Sequence, residues 1–247
     1  MKRVCALVLG FSVLWTAPPR ADAKVEKLKH GTGRDAHAYY LYVPEKAEPG
    51  PAPLLVLLHG SGRTGMSLVD PWLPFAKSEG VVLVAPDASE PQAWRFPQEG
   101  PDFFHDLIET VAAAHKNVDR RRVYVFGHSA GAIQGLDLGV LEPDYFAAVA
   151  VHAGVMSPEM VPLLDRPTRK IPLAIWIGTK DPLFPLDAVR RARDLLTQHG
   201  FPVQFTEIPN HTHDYYSTSA QTNREVWAFL QQQKLPKDPE FQPYSVK

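Results

Sequence analysis

The chain has 247 residues, 45% of them apolar and 21% charged, with 26 basic against 27 acidic side chains. This length and apolar content suit one substantial α/β core, and a charge near zero gives no electrostatic case for nucleic acid as a partner. Cys5 is the single cysteine, so disulfides within the chain and cysteine-built metal sites are excluded.

Taken in order, the first residues read as a secretory signal. Lys2 and Arg3 form its basic end, Val4 to Trp15 its apolar stretch, and Ala21-Asp22-Ala23 a small-x-small cleavage site. The apolar run is too short to span a bilayer comfortably and no later segment could, so stable membrane insertion is not expected. A mature chain starting near Lys24 loses Cys5 and keeps 23 basic against 26 acidic side chains, a formal charge of −3. The expected location is the periplasm or the exterior. Residues 24–235 are read as one catalytic domain and 236–247 as a tail, an extended or fraying strap marked by Pro236, Pro239 and Pro243.

The aromatic, β-branched run His37 to Val43 predicts an early strand, closed by Pro44. Leu54 to Leu58 is apolar at every position, as in a strand covered on both faces. A short helix is expected from Pro71 to Glu79 and a buried strand from Val81 to Ala85. After the loop Ala88 to Pro101, a helix capped by Asp102 should run to about His115, which leaves His105 and His115 on its surface. Further strands are expected at Val123 to Phe126, Phe146 to Val151, Leu173 to Ile177 and Val203 to Ile208. Helices are expected at Ala130 to Val140, at Asp187 to His199 with Asp187 as its cap, and at Ser219 to Gln233. Strands and helices alternating this regularly predict a mostly parallel, doubly wound sheet with helices on both faces.

The strand at Val123 stops at Gly127-His128-Ser129-Ala130-Gly131. A serine on a tight strand-to-helix turn has its hydroxyl thrust above the sheet, and the turn needs neighbours almost without side chains, here Gly127 and Gly131. A serine nucleophile needs a base, and the base needs a group that orients it and stabilises its cation. Asp181 follows the Leu173 strand, and both His211 and His213 follow the Val203 strand. The oxyanion of acyl transfer needs amide donors, which Ala130 and Ser61 can supply. Asp87 precedes the serine and is better read as a turn cap. Trp94 and Phe96 are candidates for a substrate pocket or for loop packing, and His152 either touches substrate or is a satisfied buried histidine. Arg120-Arg121-Arg122 reads as a solvated basic run. No metal or cofactor is implied: His211, His213 and Asp214 lack a defined further ligand, and His59 to Gly65 lacks a phosphate-loop ending.

In these segments the sequence resembles the α/β-hydrolases, and more narrowly the exported esterases related to polyhydroxybutyrate depolymerases and feruloyl or acetylxylan esterases. Leu57-Leu58-His59-Gly60-Ser61-Gly62, Asn117 to Val125 leading into Gly127 to Gly131, Gly178-Thr179-Lys180-Asp181 and the histidine loop carry the resemblance. It covers roughly Tyr39 to Gln233 and implies an α/β-hydrolase fold, with the chain order nucleophile Ser129, acid Asp181 and then histidine. The position of the base relative to Pro209-Asn210 favours His213, with His211 as the alternative, and makes Asp214 a helix cap. The implied reaction is hydrolysis of a small-molecule ester, or of one derived from a polysaccharide or polyester. An amidase or peptidase with the same triad, or a binding protein that keeps the fold without activity, are the alternatives.

Overall fold

The computed structural model describes residues 24–33, 36–44 and 50–241. The secretory signal expected at residues 1–23 lies outside them, as does the end of the tail. Eight strands form one sheet: β1 (Glu26–His30), β2 (His37–Tyr42), β3 (Ala52–Leu58), β4 (Val82–Pro86), β5 (Val118–His128), β6 (Ala148–His152), β7 (Leu173–Gly178) and β8 (Val203–Ile208). Their order is β1-β2-β4-β3-β5-β6-β7-β8. β1 and β2 are antiparallel at one edge, and every pair from β4 onward is parallel.

The unbroken apolar runs reflect a strand side-chain period of two with both faces covered. On β3, Leu54, Val56 and Leu58 enter one core while Leu55 and Leu57 enter the other, and Val123 and Val125 alternate with Tyr124 and Phe126 on β5 in the same way. α2 (Pro101–Ala114), α3 (Ala130–Leu141) and α4 (Leu186–Gln198) cover the first face; α1 (Met66–Glu79) and α5 (Tyr215–Leu230) cover the second. A large-to-alanine change at any of these buried positions would cost about 2–5 kcal/mol.

Several elements differ from the sequence reading. α1 begins at Met66, not at Pro71, and keeps both Pro71 and Pro74 inside it. Leu68, Val69, Trp72 and Ala76 are fully buried along one stripe, and this burial outweighs the broken hydrogen bonds that proline imposes. α2 is preceded by Gly100 with Pro101 at its start, and α4 by Pro185, so Asp102 and Asp187 lie in first turns and are not caps. There they still face the positive helix end. α5 starts four residues early, at Tyr215, because Asp214 caps it by accepting the Tyr216 amide at 3.1 Å. β1 is a short polar edge strand, Glu-Lys-Leu-Lys-His, whose charged composition disguised it.

The basic run is part of β5 and is not simply solvated, because each arginine has a partner. Arg120 pairs with Glu109 at 2.5 Å and Arg122 with Asp119 at 2.8 Å. Arg121 donates to the carbonyls of Leu235 at 2.8 Å and Pro236 at 3.0 Å, while the Leu235 amide returns a bond to the Arg121 carbonyl at 2.9 Å. The chain after α5 is therefore tied to the sheet. Leu235 is buried, and Phe241 stacks on His105 with ring centroids 3.8 Å apart.

Candidate functional site

The carboxyl ends of β3, β5, β7 and β8 each deliver one part of the site, as expected for ligand positions in an open parallel sheet. Ser129 follows β5 with φ 58° and ψ −118°, a conformation that costs a serine about 1–3 kcal/mol. The strain is sustained by close packing on every side. A Cβ on Gly127 would overlap the Gly131 carbonyl, and one on Gly131 would overlap the Leu58 carbonyl of β3. The Ser129 amide donates to the His152 carbonyl at 3.1 Å, which ties the turn to the end of β6.

His213 Nε2 lies 2.9 Å from Ser129 Oγ, and His213 Nδ1 lies 2.8 Å from Asp181 Oδ2. The carboxylate accepts a hydrogen bond from Nδ1–H, so the Nε2 lone pair faces the serine hydroxyl. Asp181 is itself fixed: its side chain has no exposed surface, and Oδ1 accepts the amides of Leu183 at 2.8 Å and Phe184 at 2.9 Å. The Phe184 ring lies nearly parallel to the His213 imidazole, 5.7 Å away.

The loop after β3 packs directly on the serine, since a Cβ on Gly60 would sit 3.1 Å from Ser129 Cβ. His59 shapes this loop from beneath. Its Nε2 accepts the Ala88 amide at 3.0 Å, which leaves Nδ1 to donate to the Gly60 carbonyl at 2.9 Å, and burial holds its pKa below the ordinary range. Ser61 stands at the edge of the cleft, its hydroxyl donating to the Gln92 carbonyl at 2.6 Å. Ala130 opens α3, so its amide has no carbonyl a turn earlier in that helix.

A chain of imidazoles starts at the cleft wall with His128 and runs into the core. His128 Nδ1 meets His152 Nδ1 at 3.2 Å, and His152 Nε2 meets His211 Nε2 at 3.2 Å. The His128 ring is 4.9 Å from that of His213. Burial, reinforced by the neighbouring His213, pushes the His128 pKa down to about 4; burial also drives His152 well below the usual histidine range and lowers His211. The lower chain is thus neutral at ordinary pH, and His152 spends both ring nitrogens on its two neighbours.

Residues 55–244 match the model of the Alpha/beta hydrolase family. The chain belongs to the alpha/beta hydrolase family. It is 31% identical over 188 residues to NocK of Nocardia uniformis subsp. tsuyamanensis, covering 70% of this chain and 54% of NocK. It is 29% identical over 163 residues to feruloyl esterase B of Thermothelomyces thermophilus, covering 60% of this chain and 54% of that protein. The chain therefore spans about half the length of these curated relatives. Among solved structures, an S-formylglutathione hydrolase from Staphylococcus aureus superposes with a TM-score of 0.68 over 87% of this chain and 99% of its own, at 16% identity. At that identity the match speaks to the hydrolase fold.

The remaining candidate residues separate in the structure. Ser129, His213, Ser61, Arg63 and Tyr216 line a cleft of about 530 Å³. Trp94 and Phe96 do not line it. They border a second cavity of about 120 Å³ beside Ala130, with Gln134 and Asp137 behind. Trp94 is held there by donating its indole N–H to the His59 carbonyl at 3.0 Å. His152 is fully buried and does not line the cleft, and His211 turns inward toward it. Asp87 accepts the Gly65 amide at 2.7 Å and fixes the turn into α1.

The sequence reading missed Glu99. This carboxylate is fully buried and accepts the amides of Ser89 at 2.8 Å and Arg95 at 2.6 Å, which organises the loop carrying Trp94. No pattern of spacing marks it, because its partners come from a loop without periodicity. Among the described residues, no three His, Cys, Asp or Glu side chains are arranged to hold a metal ion.

Proposed function

We propose that this chain hydrolyses carboxylic esters through an acyl-enzyme formed on Ser129. The hydroxyl of Ser129 attacks the ester carbonyl as His213 Nε2 takes its proton, and Asp181 holds the imidazole and offsets the charge it acquires. The amides of Ser61 and Ala130 receive the oxyanion. Collapse of the tetrahedral intermediate releases the alcohol, protonated by His213. Water activated by the same nitrogen then frees the acid and restores the serine. The neutral histidines of the imidazole chain do not compete for the transferred proton, because burial penalises their charged forms.

The pair of contacts at 2.9 and 2.8 Å joining Ser129, His213 and Asp181 carries this reading. The names of relatives favour esters over amides, since feruloyl esterase B and an acetylxylan esterase of Coprinopsis cinerea are among them. Export to the periplasm or exterior belongs to the same proposal and rests on the composition of residues 1–23.

The test is turnover of 4-nitrophenyl acetate together with labelling by a fluorophosphonate. The parent protein should turn over the ester and be labelled, whereas Ser129→Ala should be unlabelled and at least about 10⁴-fold slower. His213→Ala should fall by a similar factor while His211→Ala, which disturbs only the imidazole chain, falls far less. A Ser129→Ala protein that keeps its turnover refutes the mechanism.

A further inference from the structure

The cleft of this chain holds one permanent cation, and nothing in the triad uses it. Arg63 lies two residues beyond Ser61 on the loop after β3 and lines the same cleft as Ser129 and His213. Its guanidinium sits over the ring of Tyr216, 5.0 Å from the centroid. That ring is itself anchored, since Tyr216 belongs to the first turn of α5 and its hydroxyl donates to Ser67 Oγ at 3.3 Å. An arginine lying on an aromatic face keeps its planar fork free at the edge while its position is restrained. Among the described residues no carboxylate lies within ion-pair distance of Arg63. The acidic side chain that shares the cleft, Asp214, accepts the amide of Tyr216 through one oxygen at the start of α5 and forms no ion pair with Arg63.

Reaction geometry says which half of a substrate would meet this cation. In the ester mechanism His213 Nε2 returns its proton to the departing oxygen, so the leaving group must lie on the histidine side of Ser129. Arg63 lies over Tyr216, which follows His213 by three residues at the start of α5, so the guanidinium is held against the segment that carries the histidine. The second cavity, beside Ala130 and Trp94, lies toward α3 and is about 120 Å³ against about 530 Å³ for the cleft. The larger half of the substrate therefore belongs with Arg63.

We propose that Arg63, seated on Tyr216, binds a carboxylate on the leaving alcohol or phenol, so that the preferred substrates are esters whose alcohol portion is anionic. This rests on the ester-hydrolase reading of Ser129 and adds the class of leaving group. A guanidinium fork matches a carboxylate with two parallel charge-assisted hydrogen bonds. Because the cleft is open to solvent, the expected preference is modest, about tenfold.

The experiment compares 3-acetoxybenzoate and 3-acetoxyphenylacetate, two carboxylates of different reach, with their neutral amides, each kcat/KM divided by the ester's own hydroxide rate. The parent protein should favour the carboxylates by about tenfold, mainly through KM, and raised salt should reduce the preference. Arg63→Ala should bring the ratio to about one, Arg63→Lys should keep part of it, and Arg63→Glu should invert it. A parent ratio near one, with the neutral esters still hydrolysed, overturns the role of Arg63 and leaves the esterase reading standing. A full preference retained in Arg63→Ala does the same. Failure to hydrolyse any of these esters overturns both.

Discussion

Replacing His128 by glutamine should flatten the acid limb of the stability curve. Burial places the folded pKa of His128 at about 4, against 6.5 for an ordinary histidine. Between those values the unfolded chain binds a proton that the folded chain refuses. Stability therefore rises with pH across this window and is lost as pH falls from about 6.5 toward 4. Between about pH 7 and pH 4.5 the single group withdraws about 2 kcal/mol. Buried carboxyls act in the opposite sense: Asp137, raised to about 6, and Glu142, raised to about 7, both chiefly by burial, favour the folded state as they take up protons. The parent curve mixes these contributions, but both carboxyls persist in His128→Gln and cancel when the two proteins are compared. Glutamine keeps an amide for hydrogen bonding beside His152 and cannot titrate. Urea unfolding of both proteins at the two pH values reads the difference. The parent should lose about 2 kcal/mol more than the variant on acidification, close to 1 M in the urea midpoint for a domain of this size. Equal losses in the two proteins would refute the assignment of His128 as a buried neutral imidazole.

Gly131→Ala should be far more damaging than its one carbon suggests, because the new methyl would meet the carbonyls of Leu58 and His59, both backbone atoms at the end of β3; a loss of about 3 kcal/mol or more is expected in urea unfolding, with activity lost alongside. Arg121→Ala removes both side-chain bonds to the chain after α5. It should cost about 1–2 kcal/mol in chemical denaturation and speed proteolysis of residues 236–241, while Ser129 still reacts with a fluorophosphonate at the parent rate.

The central sheet was legible because its signal is local and redundant. In β3, β4, β6 and β7, and in β5 from Val123 onward, both faces are buried, so nearly every residue is apolar, and no misjudged register could hide that. Element starts were less legible, since tertiary burial decided them. Trp72 beneath α5 holds a helical turn ahead of Pro71, and a cap at Asp214 recruits Tyr215 to Thr218 into α5. Trp94 and Phe96 show the limit for loops. Being aromatic and near the site in sequence said nothing about which cavity they would border. That choice is made by Glu99 and His59, whose partners are backbone groups that no spacing rule locates.

The histidine loop shows most sharply what a sequence leaves undecided. His211 and His213 are two residues apart on an irregular segment, chemically identical, and each follows the same strand. They are sorted by backbone contacts from β7. A Cβ on Gly178 would strike the His211 carbonyl, and that carbonyl also accepts the Lys180 amide at 2.9 Å, so the loop is pressed against the end of β7 at this residue. With His211 pinned there, its ring turns into the core and finds His152, while two residues on His213 faces the cleft between Asp181 and Ser129. Asp181 lies three residues beyond Gly178, and its own amide bonds to the Gly178 carbonyl at 3.1 Å. One glycine therefore sets both the approach of the histidine loop and the placement of the acid. The pairing of Asp181 with His213 is a property of the β7 and β8 ends together, and the way those two ends meet is the physical reason that the later histidine of the loop is the one facing the acid.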